Sequence, residues 1–335
     1  MKKELLNNNL IDKISELIKI ARSRVVNAIN YTMTTTYFEI GRMIVEDEQS
    51  GNKRADYGDK LITAISNRLT KENGRGFSVT NIKQMRSFYA VYKNYQKGQT
   101  VSDLFKLSWS HYLKLMRIDD ENERKFYEIE AVQNNWSLRE LQRQYDSGLY
   151  LRLSLSKNKQ KVLALSTKGQ IIEKPEDAIK DPYVLEFTGF PEHSDYSENQ
   201  LEQKLIDKIG KFLLELGKGF SFVGRQVRFT FNEKHFRVDL VFYNRLLKCF
   251  VLIDLKIGEL SHQDIGQMQM YVNYYDREVK TKDENKTIGI ILCQEKDNAV
   301  VEYTLPKNNK QIYASKYMTI LPKKEELKKL IENKP

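Results

Sequence analysis

The stretch from Phe236 to Lys256 constrains the fold more than any other part of the chain. Phe236, Val238, Leu240 and Phe242 alternate with Arg237, Asp239, Val241 and Tyr243, the period of a half-buried strand. Phe250 to Ile253 is an unbroken apolar run with β-branched residues, as expected of a strand covered on both faces. Asn244 to Leu247 can turn the chain between them. Pairing Tyr243 with Lys248 sets Asp239 against Leu252 and diagonal to Asp254, about 7 Å away at the backbone. Asp254 and Lys256 share a face, because strand side chains alternate. A charge at the end of an apolar strand is costly unless it is paired or holds a metal. Taken alone, Asp254 and Lys256 read as a structural salt bridge. The second carboxylate, Asp239, and a following helix with Gln267 and Tyr271 one turn apart favour a functional site.

The flanking elements extend this pair of strands into a domain. Glu198 to Leu216 reads as a helix with Leu201, Leu205, Ile209, Phe212, Leu213 and Leu216 inward, ended by Gly217. Phe220 to Phe231 alternates as a strand and carries Arg225, Gln226 and Arg228. A helix from Ser261 to Tyr275, a strand from Thr287 to Cys293, a short helix from Asp297 to Tyr303 and a strand within Gln311 to Leu321 follow. The order is α/β with one mixed central sheet.

The N-terminal part is helical. Leu10, Ile14, Leu17, Ile18, Ala21 and Val25 keep helical spacing within Asn8 to Val45. A second helix from Gly58 to Glu72, the break at Gly74-Arg75-Gly76 and a third helix capped by Ser78 follow the order of a helix-turn-helix. The third helix would turn Asn81, Lys83, Gln84 and Arg86 outward, a mixture able to touch phosphates and base edges. An ordinary helical bundle with a polar face explains the same spacing. Further helices are expected at Leu107 to Arg117, at Asp120 to Asn134 and after the capping box Ser137–Glu140, with Trp109 and Trp136 in the core. Serines, lysines and Pro175, Pro182 and Pro191 mark 151–197 as a connector. The expected organisation is a helical domain over 1–150, the connector 151–197 and an α/β domain over 198–335.

Asp239 followed by Asp254-Leu255-Lys256 resembles the PD-(D/E)xK motif of the restriction-endonuclease-like superfamily, and Gln267 to Tyr271 resembles the QxxxY extension of some of its branches. The wider text, from LLELGKGFSFVGRQ through DLVFYNRLLKCFVLIDLKIGEL to GQMQMYVNYYD, is similar to the YhcG-like PDDEXK nuclease family, whose members also carry a helical N-terminal domain. Val238 replaces the motif proline, and Asp254 stands where that family more often has Glu. The resemblance implies a restriction-endonuclease-like core and metal-dependent phosphodiester hydrolysis in DNA. It implies Asp239 and Asp254, with the Leu255 carbonyl, as ligands of Mg²⁺, for which Mn²⁺ would substitute. Lys256 would orient or deprotonate water, or stabilise charge on phosphorus. Glu202 would be a further metal ligand or a solvated helix charge, and Gln267 would bond the scissile phosphate or a water. Arg225, Gln226 and Tyr271 are candidate nucleic-acid contacts, as are Lys83, Gln84 and Arg86. The competing reading is a nuclease-fold module that binds DNA or assembles without cleaving it, and an RNA substrate is a third.

Composition agrees with a polyanionic partner: the chain has 335 residues and a net charge of +10. A second copy of the chain and another protein are further candidate partners. Two cysteines, Cys249 and Cys293, leave no disulfide framework and no thiolate zinc site. No GxxxxGK[ST], GxSxG or strand-borne GxGxxG is present, so neither a built-in ATP motor nor a nucleotide cofactor is expected. The first residues have no apolar core of the signal-peptide kind, and no apolar run reaches the length of a membrane span. The expected location is the cytoplasm.

Overall fold

The computed structural model describes residues 2–50, 55–96, 105–155, 159–191, 195–231 and 233–332. The chain divides into two compact units, Met1–Gln142 and Arg143–Pro335.

The first unit is helical. Helix α1 (Lys2–Ser50), α2 (Ala55–Asn73), α3 (Val79–Tyr92), α4 (Trp109–Leu115) and α5 (Glu121–Gln133) follow one another. Ser78 caps α3 by accepting from the Asn81 N–H, and Asp120 caps α5 by accepting from that of Glu123. Phe88 of α3 packs against Phe38, Tyr92, Phe105, Trp109 and Tyr112, with ring centroids 4.8–5.7 Å apart. Trp109 is in this cluster and Trp136 is buried, as the sequence suggests. Gly41 lets α1 meet α3 closely: a Cβ there would lie 2.1 Å from the Met85 carbonyl oxygen.

The outward face of α3 is less free than its sequence implies. Lys83 pairs with Asp59 at 2.9 Å, and Arg86 pairs with Glu48 at 2.9 Å. Asn81 accepts a hydrogen bond from Trp109 Nε1 at 2.9 Å. Three of the four side chains expected to face a partner are thus engaged by neighbouring helices. Gln84 is partly exposed.

Helix α6 (Leu138–Asp146) follows, and the Ser137–Glu140 capping box opens it as expected. The second unit continues through α7 (Leu149–Leu155), α8 (Lys159–Lys168), α9 (Pro175–Ala178) and strand β1 (Tyr183–Val184). Helices α10 (Glu198–Asp207) and α11 (Ile209–Leu216) follow, then β2 (Phe220–Phe231), β3 (Lys234–Asn244) and β4 (Cys249–Glu259). Helix α12 (His262–Tyr274), β5 (Ile288–Glu295), α13 (Asn298–Thr304), β6 (Ile312–Met318) and α14 (Lys324–Glu332) complete it.

The described strands form one six-stranded sheet in the order β1-β6-β5-β4-β3-β2. Strands β2, β3 and β4 are antiparallel, whereas β4, β5, β6 and β1 are parallel. Leu201, Leu205, Phe212 and Leu216 of α10 and α11 pack with Leu240, Phe242, Val251, Ile253 and Leu255 of the sheet. Met268, Tyr271 and Val272 of α12 pack with Val238, Val241, Leu252 and Ile291. This is the mixed sheet flanked by helices of a restriction-endonuclease-like core.

Three details depart from the sequence reading. The helix expected over 198–216 is two helices, broken at Lys208 (φ −118°, ψ 29°). The β3–β4 register pairs Tyr243 with Phe250, not Lys248. The last pair is Asn244 with Cys249, so the turn sits one residue later, where the Asn244 side chain accepts from the N–H groups of Leu246 and Leu247 in an Asx-type turn. Finally, much of 151–197 belongs to the domain itself, although 156–158 and 192–194 lie outside the described residues. Its β1 pairs with β6, and Arg152, fully buried, binds Glu215 Oε1 at 2.6 Å. Glu215 also meets Arg143 at 3.3 Å and accepts from the Val184 N–H at 3.0 Å. Burial opposes ionisation of Glu215, but Arg152, Lys180 and Arg143 outweigh it and hold the carboxyl down at about 2.

Candidate active site

Strands β3 and β4 bring Asp239, Asp254 and Lys256 together. The register places Leu240 opposite Ile253, so Asp239 comes level with Asp254 and not, as expected, with Leu252. Asp239 Oδ2 accepts from the Leu255 N–H at 2.8 Å. Asp254 is 2% exposed and ends the apolar part of β4. Lys256 Nζ lies 3.0 Å from Asp254 Oδ2, yet that oxygen has no well-aligned hydrogen bond. The contact is therefore an ion pair in which the ammonium serves Oδ2 by its charge.

The electrostatics follow from this crowding. Burial, with Asp239 adding repulsion, pushes the Asp254 carboxyl up to about 7 against the pull of Lys256. Burial disfavours the charge on Lys256, but Asp254, Glu198 and Asp264 overcome it and raise the ammonium to about 12. Glu198 Oε2 and Asp264 Oδ1 stand 3.9 and 3.8 Å from Nζ. Both acids belong to the first turns of capped helices, α10 and α12. The sequence reading missed them as neighbours of Lys256; the boxes Ser197–Gln200 and Ser261–Asp264 are the signal for where those helices begin.

Glu202 on α10 is buried, and its carboxylate accepts from Gln226 Nε2. The same Nε2 donates to Asp239 Oδ1 at 3.0 Å. Burial raises the Glu202 carboxyl, Gln226 counters it, and Asp239 raises it further. Gln226 has φ +47° in the interior of β2, a left-handed backbone that side chains rarely adopt. Its side chain is thus turned onto the carboxylates, where the sequence had suggested a nucleic-acid contact.

Arg225 is exposed and donates to Gln203 Oε1 at 2.8 Å. Gln267 Nε2 donates to the Tyr271 hydroxyl. Tyr271 is 2% exposed and meets Phe229 edge to face at 5.5 Å, so its ring is core and is not open to a ligand. Gln267 is the partly exposed member of the pair. Gly289 of β5 lets α12 sit close, since a Cβ there would lie 2.5 Å from Met268.

Residues 176–332 match the model of the YhcG PDDEXK nuclease domain, and residues 13–152 match the DUF1016 N-terminal domain. The Escherichia coli (strain K12) protein named "Putative nuclease YhcG" is 38% identical over 343 residues, covering 94% of this chain and 91% of the relative. The chain belongs to the YhcG family of PDDEXK nucleases. Two solved structures show slight likeness at 16% identity: a repair endonuclease from Pyrococcus abyssi (TM-score 0.27, 38% of this chain) and an EndoMS–dsDNA complex (TM-score 0.26, 39%). The matched region spans half of each of those chains. The YhcG nuclease-domain match begins ahead of β1, so the family's domain includes the edge strand that the sequence reading placed in a connector.

Among the described residues no helix is long and apolar enough to cross a membrane. Nor do three or more His, Cys, Asp or Glu side chains among them converge as a metal cluster. What β3 and β4 do bring level is two carboxylates, Asp239 and Asp254. That suits Mg²⁺, a hard ion that keeps several of its waters and needs only one or two protein carboxylates. The Asp254 carboxylate, buried level with a second one, fits such an ion.

Proposed function

We propose that the chain is a divalent-metal-dependent endonuclease acting on DNA. The observation that carries the reading is Asp254: a buried carboxylate at the end of an apolar strand, level with Asp239 and 3.0 Å from the Lys256 ammonium. Asp239, Asp254 and the Leu255 carbonyl would hold Mg²⁺, or Mn²⁺ in its place. When bound, the ion would neutralise charge on the scissile phosphate and make an attacking water more acidic.

The chain's own groups supply the rest. The Leu255 N–H fixes Asp239 through Oδ2. Lys256, beside Asp254, Glu198 and Asp264, would orient water and stabilise charge on phosphorus. Gln267 offers a partly exposed amide toward the phosphate, with Tyr271 holding its rotamer. Arg225 on the exposed edge strand β2 and the net charge of +10 favour a polyanion. The N-terminal helical domain would bind DNA or a protein partner. On α3, Lys83 and Arg86 would have to exchange Asp59 and Glu48 for phosphate, at little cost for the exposed Lys83–Asp59 pair and at more for the half-buried Arg86–Glu48 pair.

The test is cleavage of supercoiled, linear and branched DNA, and of RNA of the same sequence, with Mg²⁺ or EDTA. Mg²⁺-dependent cleavage of DNA supports the reading. Binding of DNA with no cleavage in any divalent metal contradicts it, and cleavage of RNA alone reassigns the substrate.

A further inference from the structure

Gln226 occupies an unusual place. One amide nitrogen donates to carboxylates from two different elements, Glu202 of α10 and Asp239 of β3. A backbone with φ +47° in mid-strand aims it there. Without that N–H group, two buried or half-buried carboxylates would face one another with nothing between them. A cation would compete for the same spot. Rotation about the last side-chain bond exchanges Nε2 for Oε1, and an amide oxygen is a good ligand for a hard divalent ion.

We propose that Gln226 is a metal-site residue with two settings. In the metal-free protein its N–H group stands between Glu202 and Asp239 in place of a cation. With metal present the amide turns and presents Oε1, joining Asp239 and Glu202 around a subsite on the α10 side of the Asp239 carboxylate. The proposal rests on the metal-dependent reading above and extends it to a ligand outside the Asp239, Asp254 and Lys256 set. It also explains why Glu202 is held close without touching Asp239.

The experiment measures Mn²⁺ binding to the full-length protein by electron paramagnetic resonance, with thermal unfolding recorded with and without Mn²⁺. The proteins are wild type, Gln226→Leu, Gln226→Glu and Asp254→Asn. Gln226→Leu, which keeps bulk and removes the oxygen, should weaken Mn²⁺ about ten- to a hundredfold. Gln226→Glu, which keeps an oxygen and removes the N–H, should bind Mn²⁺ at least as tightly as wild type. Its metal-free Tm should fall and its Mn²⁺-induced rise in Tm should exceed that of wild type. Wild-type affinity in Gln226→Leu overturns the proposal. So does a loss in Gln226→Glu as large as in Gln226→Leu, because then only the hydrogen bonds matter. If Gln226→Leu does not fold, Gln226→Glu decides. Loss in Asp254→Asn with none in Gln226→Leu removes the Gln226 subsite and leaves the nuclease reading standing; no Mn²⁺ binding by wild type removes both.

Discussion

Asp239 and Leu255 are joined across β3 and β4: the carboxylate Oδ2 of the first accepts from the backbone N–H of the second at 2.8 Å. The peptide that follows Asp254 is thereby tied to the neighbouring carboxylate, so the two acids cannot drift apart independently. Asp239→Ala removes both the anchor and a proposed ligand. Its Mn²⁺ affinity should fall by more than about a hundredfold, measured by titration calorimetry. Near-wild-type affinity would remove Asp239 from the site.

Lys256 is a positioned cation in this account. Lys256→Met should lower the single-turnover cleavage rate by about 10²- to 10⁴-fold while Mn²⁺ binding persists. As a cation that neither gives nor takes a proton in the reaction, Lys256 should give the wild-type rate no step from its titration between pH 6 and 9. A rate that climbs throughout that range and becomes flat in Lys256→Met would make Lys256 the base.

Asp254 gives a pH dependence whose sign can be stated. Its carboxyl is raised from 3.8 to about 7, so between those values the metal-free folded state holds a proton that the unfolded state releases. Its contribution to stability therefore falls as pH rises from about 4 to about 7 and is level above that. Urea unfolding of wild type against Asp254→Asn in EDTA should show the wild type losing relative stability across the window. Mn²⁺ competes with the same proton, so its affinity should rise over that range. A relative stability that increases with pH would contradict the assignment.

Glu215 should behave in the opposite sense. Its carboxyl is held at about 2, below the ordinary 4.5, so its contribution is present above pH 4.5 and lost as pH falls toward 2. Glu215→Gln leaves the buried Arg152 guanidinium without its counter-charge. The expected cost is about 3–5 kcal/mol in urea unfolding. A change under about 1 kcal/mol would show that water enters the network.

The elements that carry the candidate site were legible because they are local. Alternation in Phe236 to Tyr243, the apolar run into Asp254 and the capping box at Ser261 each specify an element within a few residues. The register differs by two residues because the turn starts one residue later, with Asn244 still in the ladder and its side chain accepting from the N–H groups inside the turn. What remained illegible depends on distant partners. Nothing near Arg152 announces Glu215, and nothing near Lys83 or Arg86 announces Asp59 or Glu48. Alternation assigns Gln226 a strand, but its positive φ, which decides what the amide touches, comes from the fold around it.

The most direct measurement is nicking and linearisation of supercoiled plasmid DNA in Mg²⁺ by wild type, Asp254→Ala and Lys256→Ala at equal concentration. The account predicts cleavage by wild type that EDTA abolishes, with both variants slower by at least about a hundredfold. Equal cleavage by all three proteins would show that the activity does not arise from Asp254 and Lys256.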